Sequence, residues 1–311
     1  MCRHEYDLVV IGDSNTDIYA RVSSYPAAGG CTFGERLESL PGGTAVNTAV
    51  AAARLGLRVA IATVVGHDAE GQAILDLLQS EGVDARFAAR VPQPTGCVFV
   101  ALGPGEEHTF FSLRVECADW QLRREHIPFE AIRESAALYV SGVSIAEAGI
   151  VKGSADSVLA ALRIARDAGA TTFLDPNLRL ESPDVPIDIA QAMETCIRTV
   201  DYYMPNESEM EALALRCGQL HGRVATVVKQ GSRGCTVISG SGRSQIAAKP
   251  VRAVDTTGAG DSFNAGFIAG ILGGRPADGA GRLGAIVAGI TVSRVGTISA
   301  FPTRSEVEQE G

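Results

Sequence analysis

The sequence predicts an α/β fold: a doubly wound, mostly parallel sheet flanked by helices. Three observations carry this expectation. Short apolar runs recur at Leu8–Ile11, Val59–Val65, Leu138–Val140, Thr172–Leu174 and Ala225–Val228. Near-continuous runs of this kind suit strands covered on both faces. Helical patterns separate them at Ala45–Leu55, Glu70–Glu81 and Ser154–Ala168, each followed by a glycine (Gly56, Gly82, Gly169) that stops the helix. Strands alternating with helices imply βαβ units, and hence a parallel sheet.

Two stretches break the rhythm. Residues 15–40 are rich in Gly, Pro and Ser, with apolar residues spaced as in short strands. Residues 95–115 read as an antiparallel hairpin: Gly96–Leu102, a Gly103-Pro104-Gly105 turn, then Thr109–Leu113. Together they predict a small β-sheet lid inserted into one domain spanning 1–311. Ala247–Val254 reads as a further strand, and from Asp261 onward the chain reads as helical.

Composition narrows the function classes. The 311 residues are 46% hydrophobic and 20% charged, enough to bury a large core. The net charge of −9 and the absence of any basic run argue against a nucleic-acid partner, which needs clustered Lys and Arg. No apolar run approaches the length of a membrane span. The first residues, Met1-Cys2-Arg3-His4-Glu5, enter a strand pattern at once and do not read as a signal peptide. Seven widely spaced cysteines, an odd number without a CxxC pair, fit a reduced, cytoplasmic chain better than a disulfide framework or a zinc site.

The run Asp255-Thr256-Thr257-Gly258-Ala259-Gly260-Asp261 carries the chemistry. It precedes an amphipathic helical run, Ser262–Ile271, so Gly258, Ala259 and Gly260 fall at a helix N-terminus. Unpaired amides and the helix dipole favour an anion there, and glycine lets a phosphate approach the backbone. A carboxylate beside such a cradle is the expected partner in phosphoryl transfer to an alcohol, taking the hydroxyl proton. Taken alone, a GxGD turn is equally an ordinary helix start with an acidic first turn.

The flanking residues settle that choice. DTTGAGD resembles the C-terminal signature of the ribokinase-like, or phosphofructokinase B type, carbohydrate kinases. Three further segments resemble that family's motifs in the right order: Gly42-Gly43-Thr44-Ala45-Val46-Asn47 followed by Ala51–Gly56, Pro205-Asn206-Glu207-Ser208-Glu209, and Lys229-Gln230-Gly231-Ser232-Arg233-Gly234. The absence of GxxxxGK[ST] excludes a P-loop kinase, and Gly12-Asp13-Ser14-Asn15 after the first strand is not a dinucleotide fingerprint.

The resemblance implies a ribokinase-like fold and transfer of phosphate from ATP, with Mg²⁺, to a primary hydroxyl of a sugar or sugar acid. It makes Asp261 the catalytic base and Gly258, Ala259 and Gly260 the anion hole. Asn15, Asp17, Gly42, Gly43 and Asn47 would contact the substrate; the residues alone also allow an Asx turn, a simple glycine turn and a surface asparagine. Arg179, in Asp175-Pro176-Asn177-Leu178-Arg179, resembles an arginine of the fructokinase and 2-keto-3-deoxygluconate kinase branches that lies near the phosphates or an acidic substrate group. Lys229, Gly231, Gly234, Thr256 and Asn206 would border the nucleotide, as would Ser293–Gly296. Asn206 and Glu209 would hold Mg²⁺ through water, although the same pair also reads as a capping box. Glu207 reads as solvated. Asp255 and Thr257 match loops that hold a monovalent cation, K⁺, in some members. His108 and Arg114 lie in the lid and would bear on the substrate, Phe110 there reads as lid packing or a dimer contact, and the resemblance pairs two chains as a homodimer through that lid. Thr44 stands where ribokinases proper carry a lysine, and no Leu-Trp follows Arg179, so neither ribose nor fructose is specified. A nucleoside kinase of the same fold and a non-catalytic sugar-binding regulator remain the alternatives.

Overall fold

The computed structural model describes residues 4–103, 108–146, 154–178 and 185–310. Its strands are β1 Leu8–Ile11, β2 Asn15–Val22, β3 Gly34–Gly42, β4 Val59–Ala62, β5 Val64–Gly66, β6 Ala89–Val91, β7 Gly96–Leu102, β8 His108–Leu113, β9 Ala137–Ser141, β10 Thr171–Asp175, β11 Tyr202–Tyr203, β12 Ala225–Lys229, β13 Cys235–Ser239 and β14 Gly242–Ile246. The helices are α1 Thr44–Arg54, α2 Ala69–Ser80, α3 Phe129–Arg133, α4 Val143–Ala146, α5 Ser154–Asp167, α6 Ile187–Ile197, α7 Glu207–Cys217, α8 Ala259–Leu272, α9 Ala277–Val292 and α10 Arg304–Glu310.

Eight strands form the large sheet in the order β14-β13-β12-β11-β10-β9-β1-β4. The run from β12 to β4 is parallel, and β13 and β14 add an antiparallel edge. Successive residues of a strand face opposite sides. Accordingly Leu8 and Val10 of β1 join a core with α1, α8 and α9, while Val9 and Ile11 join a second core with α5 and α6. Both faces of the sheet are thus covered, which is why β1 reads as an unbroken apolar run.

A separate four-stranded sheet, β3-β2-β7-β8, is built from the two stretches that broke the helix–strand rhythm. β7 and β8 pair antiparallel from Cys97↔Leu113 to Leu102↔His108, as the hairpin pattern predicts. Pro104 and Gly105 of its turn lie outside the described residues.

Two expectations need correction. Val59–Val65 is not one strand: it breaks at Thr63, and β5 leaves the large sheet to pair with β6. Ala247–Val254 forms no strand. Pro250 removes a ladder donor there, the sheet already ends at β14, and Val251 and Val254 stay exposed.

Candidate active site

The first turn of α8 is made possible by Gly258, which caps the helix in the left-handed region at φ 74°. A side chain there would also strike Thr297 Cγ2 at 2.6 Å and the Phe301 ring at 3.0 Å. Asp255 holds this turn against the loop after α9, since its Oδ1 accepts from the Thr257 amide (2.9 Å) and its Oδ2 from the Gly296 amide (3.1 Å). Thr256 and Thr257 are exposed. Asp261 stands in the first helical turn, where its charge complements the dipole.

Facing Asp261 is the N-terminus of α1. Gly43, at φ 105°, turns the chain from β3 into that helix. The cap is supplied by Asp13, in the loop after β1. Its carboxylate is buried and accepts from the Thr44 amide (3.0 Å), the Ala45 amide (3.3 Å) and the Ser141 hydroxyl (2.7 Å). Arg114, from the end of β8, is buried against Asp119 and lies 3.8 Å from Asp13, so it reaches the base of the site from beneath. Asn177, in the left-handed region at φ 36°, donates its side-chain amide to the Thr44 hydroxyl. Thr44 thereby ties the end of β10 to α1.

Asn47 Nδ2 donates to Asp261 Oδ2 at 2.7 Å, joining two motifs 214 residues apart. Asn47 Oδ1 is buried and accepts no hydrogen bond among the described residues. A buried acceptor left in this state costs about 1–3 kcal/mol, so the position suits a substrate hydroxyl that donates to it. Asn15 Nδ2 donates to Asp17 Oδ1 at 2.7 Å. A Cβ at Gly42 would stand 3.1 Å from Asp17 Oδ2 and 3.6 Å from Asn15 Nδ2. Asn15, Asp17, Gly42, Gly43 and Asn47 therefore gather at the junction of the two sheets. A cavity of about 280 Å³ opens beside this junction, lined among others by Asp17, Tyr19, Gly42 and Thr297.

A buried polar cluster lies behind α8. Asp175, at the end of β10, accepts at Oδ2 from Lys229 Nζ (2.6 Å) and Asn264 Nδ2 (2.6 Å). Asn264 Nδ2 also lies 3.3 Å from the Tyr139 hydroxyl. Asn264 follows Asp261 by one helical turn and shares its face. Sequence reading missed Asp13, Tyr139 and Asn264, and it did not anticipate that Lys229 Nζ meets Asp175 and Asn264. The only signal for Asp13 was its place at the carboxyl end of a buried strand.

Asn206 and Glu209 form the capping box of α7: Asn206 Oδ1 accepts from the Glu209 amide (2.9 Å), and Glu209 Oε2 from the Asn206 amide (2.8 Å). Glu209 Oε1 accepts from the Leu178 amide at 3.0 Å. A carboxylate and an amide oxygen suit Mg²⁺, but both are already engaged, which fits a hydrated ion held through water rather than a closed cage. Glu207 is not simply solvated, because it accepts from Gln230 (2.8 Å) and Arg233. Gly231, at φ 57°, faces open space. Gly234, at φ 89°, is required by close packing, since a Cβ there would stand 2.0 Å from the Ile246 carbonyl oxygen. Arg179 and the side chains of His108 and Phe110 lie outside the described residues.

Burial pushes Glu209 up to about 7 from its ordinary 4.5; nearby Asp175 adds to the rise, and Lys229 opposes it. The folded state thus holds this proton more tightly than the unfolded chain. Its contribution to stability is complete below pH 4.5 and is lost as the pH rises through 7. Between these limits one such group changes the unfolding free energy by at most roughly 1.4 kcal/mol per pH unit. Urea unfolding at pH 5 and pH 7.5 is expected to show this loss in the parent and its disappearance in Glu209→Gln; an unchanged slope in the variant would assign the proton elsewhere.

The pfkB family carbohydrate kinase model matches residues 6–304. The ribokinase of Haemophilus influenzae is 28% identical over 96% of both chains. The 5-dehydro-2-deoxygluconokinase of Geobacillus thermodenitrificans is 26% identical over 97% of this chain and 92% of its own. Among solved structures, one described as a ribokinase II from E. coli in complex with ATP and Mg²⁺ superposes with a TM-score of 0.83 at 25% identity, covering 97% of this chain and 98% of that one.

Proposed function

We propose, for a chain that belongs to the pfkB family of carbohydrate kinases, that it transfers phosphate from ATP to a primary hydroxyl of a sugar or sugar acid, with Asp261 as the general base. The observation that carries the proposal is the Asn47–Asp261 hydrogen bond. It sets the residue at the sugar-facing end of α1 against the residue at the anion-facing end of α8. A sugar that donates one hydroxyl to Asn47 Oδ1 would bring a second, primary hydroxyl beside the carboxylate that must take that second group's proton.

The chemistry divides among the chain's own groups. Asn15, Asp17, Asn47 and the Gly42-Gly43 backbone orient the acceptor, and Arg179 is assigned to an acidic group or the phosphates. The Gly258–Gly260 amides receive the transferring phosphoryl. ATP would lie between the Lys229–Gly234 turn, Thr256 and the Ser293–Gly296 loop. Mg²⁺ neutralises phosphate charge when bound, and Asn206 and Glu209 would orient its waters. Asp255 and Thr257 are assigned to a K⁺-sensitive loop, because Asp255 clamps Gly296 to the α8 turn.

The four-stranded sheet is assigned the role of a lid on one domain, because it grows directly from Asn15 and returns at Gly42. We also assign this face to a homodimer: Phe111 and Leu113, two residues apart on β8 and so on one face, are 50% and 62% exposed. The odd count of well-spaced cysteines supports a cytoplasmic setting.

A coupled ADP-release screen over pentoses, hexoses, 2-keto-3-deoxy acids and nucleosides tests the reading. Release is expected with a sugar or sugar acid and to depend on Mg²⁺. Release with nucleosides alone would move the assignment to a nucleoside kinase, and none with any acceptor would favour a sugar-binding regulator.

A further inference from the structure

We infer that Lys229 is the cation that meets the phosphoryl group being transferred, supplying from within the fold a positive charge to the anion hole of α8. The inference rests on the kinase reading above, in which the anion hole is the Gly258–Gly260 turn. Three observations support it.

Lys229 ends β12, and its Nζ lies 3.8 Å from where a Cβ on Gly260 would stand. The ammonium is therefore directly behind the first turn of α8, and a glycine at 260 leaves the way between them open. The described residues also engage only two of its three donors. One meets Asp175 Oδ2 at 2.6 Å and one Asn264 Oδ1 at 3.5 Å, while an ammonium carries three N–H groups.

The local charge also needs a counterpart. Asp175 and Asp261 both act on Lys229, as does Glu209. Burial opposes the charge, but these carboxylates outweigh burial and hold its pKa above the ordinary lysine value. A phosphoryl anion arriving among carboxylates requires a cation that is already charged and already positioned. Main-chain amides supply partial charge only. Asp175 and Asn264 hold the ammonium in place, so no side-chain ordering is needed when the phosphate arrives.

The test compares the parent with Lys229→Met and Lys229→Arg by calorimetric titration with ATP and with ADP, both with Mg²⁺, and then by turnover. Lys229→Met is expected to lose about tenfold or more in affinity for ATP and less than about threefold for ADP, the worth of one charged hydrogen bond to the terminal phosphate. Its kcat is expected to fall by about 10²-fold or more while the KM of the acceptor holds. Lys229→Arg is expected to recover most of the ATP preference. Because removing the lysine leaves Asp175 buried without its counter-ion, the same titrations are run on Asp175→Asn with and without Lys229→Met. There the ATP preference is again expected to fall only when the lysine is removed. Equal losses for ATP and ADP, or no loss in either background, would overturn the inference. Failure of the kinase reading shows separately, as a parent that binds ATP yet phosphorylates no acceptor.

Discussion

Asp261→Asn is expected to leave a folded, nucleotide-binding protein whose kcat is lower by about 10²–10⁴-fold, the range a general base contributes. The substitution is nearly isosteric. The amide oxygen can still accept from Asn47 Nδ2, so the contact that joins α1 to α8 survives. The negative charge and the capacity to take a proton are lost. Thermal melting and ATP titration check the fold and the nucleotide site, and ADP release checks the chemistry. A variant that kept turnover within about tenfold of the parent would remove Asp261 from the role of base. The anion hole would be unaffected by that outcome, because it is built from backbone and from Gly258.

Gly43→Ala is expected to damage stability and substrate binding together. At φ 105° and ψ 138° the residue occupies a region closed to side chains. A Cβ would stand 2.8 Å from the Asp13 carbonyl oxygen and 2.9 Å from Ser14 Cα. Both are backbone atoms and cannot rotate away. Backbone strain costs about 1–3 kcal/mol and overpacking a similar amount, so a loss of about 2–4 kcal/mol is expected in urea unfolding. Relief would require α1 to shift from Asp13, carrying Thr44 and Asn47 with it. The acceptor KM should therefore rise in whatever fraction remains folded. Unchanged stability would mean that the β3–α1 turn can reopen without moving Asp13.

How much of this was legible in the sequence differs from residue to residue. Leu8–Ile11 could be read as a buried strand because its surroundings, apolar on both faces, leave a local mark on composition. The Gly258–Asp261 turn could be read as a helix start because the glycines and the acidic first-turn residue that mark it are contiguous. Asp13, Tyr139 and Asn264 could not be read so. Their partners are at least 31, 125 and 35 residues away along the chain, and a single polar residue in an apolar run does not announce which distant group it will meet. The sequence did not separate the two readings of Asn206 and Glu209 because both are compatible. The capping box fixes the orientation of the Glu209 carboxylate. The misplaced strand at Ala247–Val254 failed for a different reason: Pro250 lacks the amide that a ladder needs, and Val251 and Val254 stay exposed.

The Asn47–Asp261 contact also has a consequence for synthesis of the chain. Translation at about 5–20 residues per second puts roughly 10–40 s between the emergence of its two partners. During that interval α1 can begin to form, but Asp261 and the first turn of α8 do not yet exist, and the face of α1 that α8 will cover stays bare.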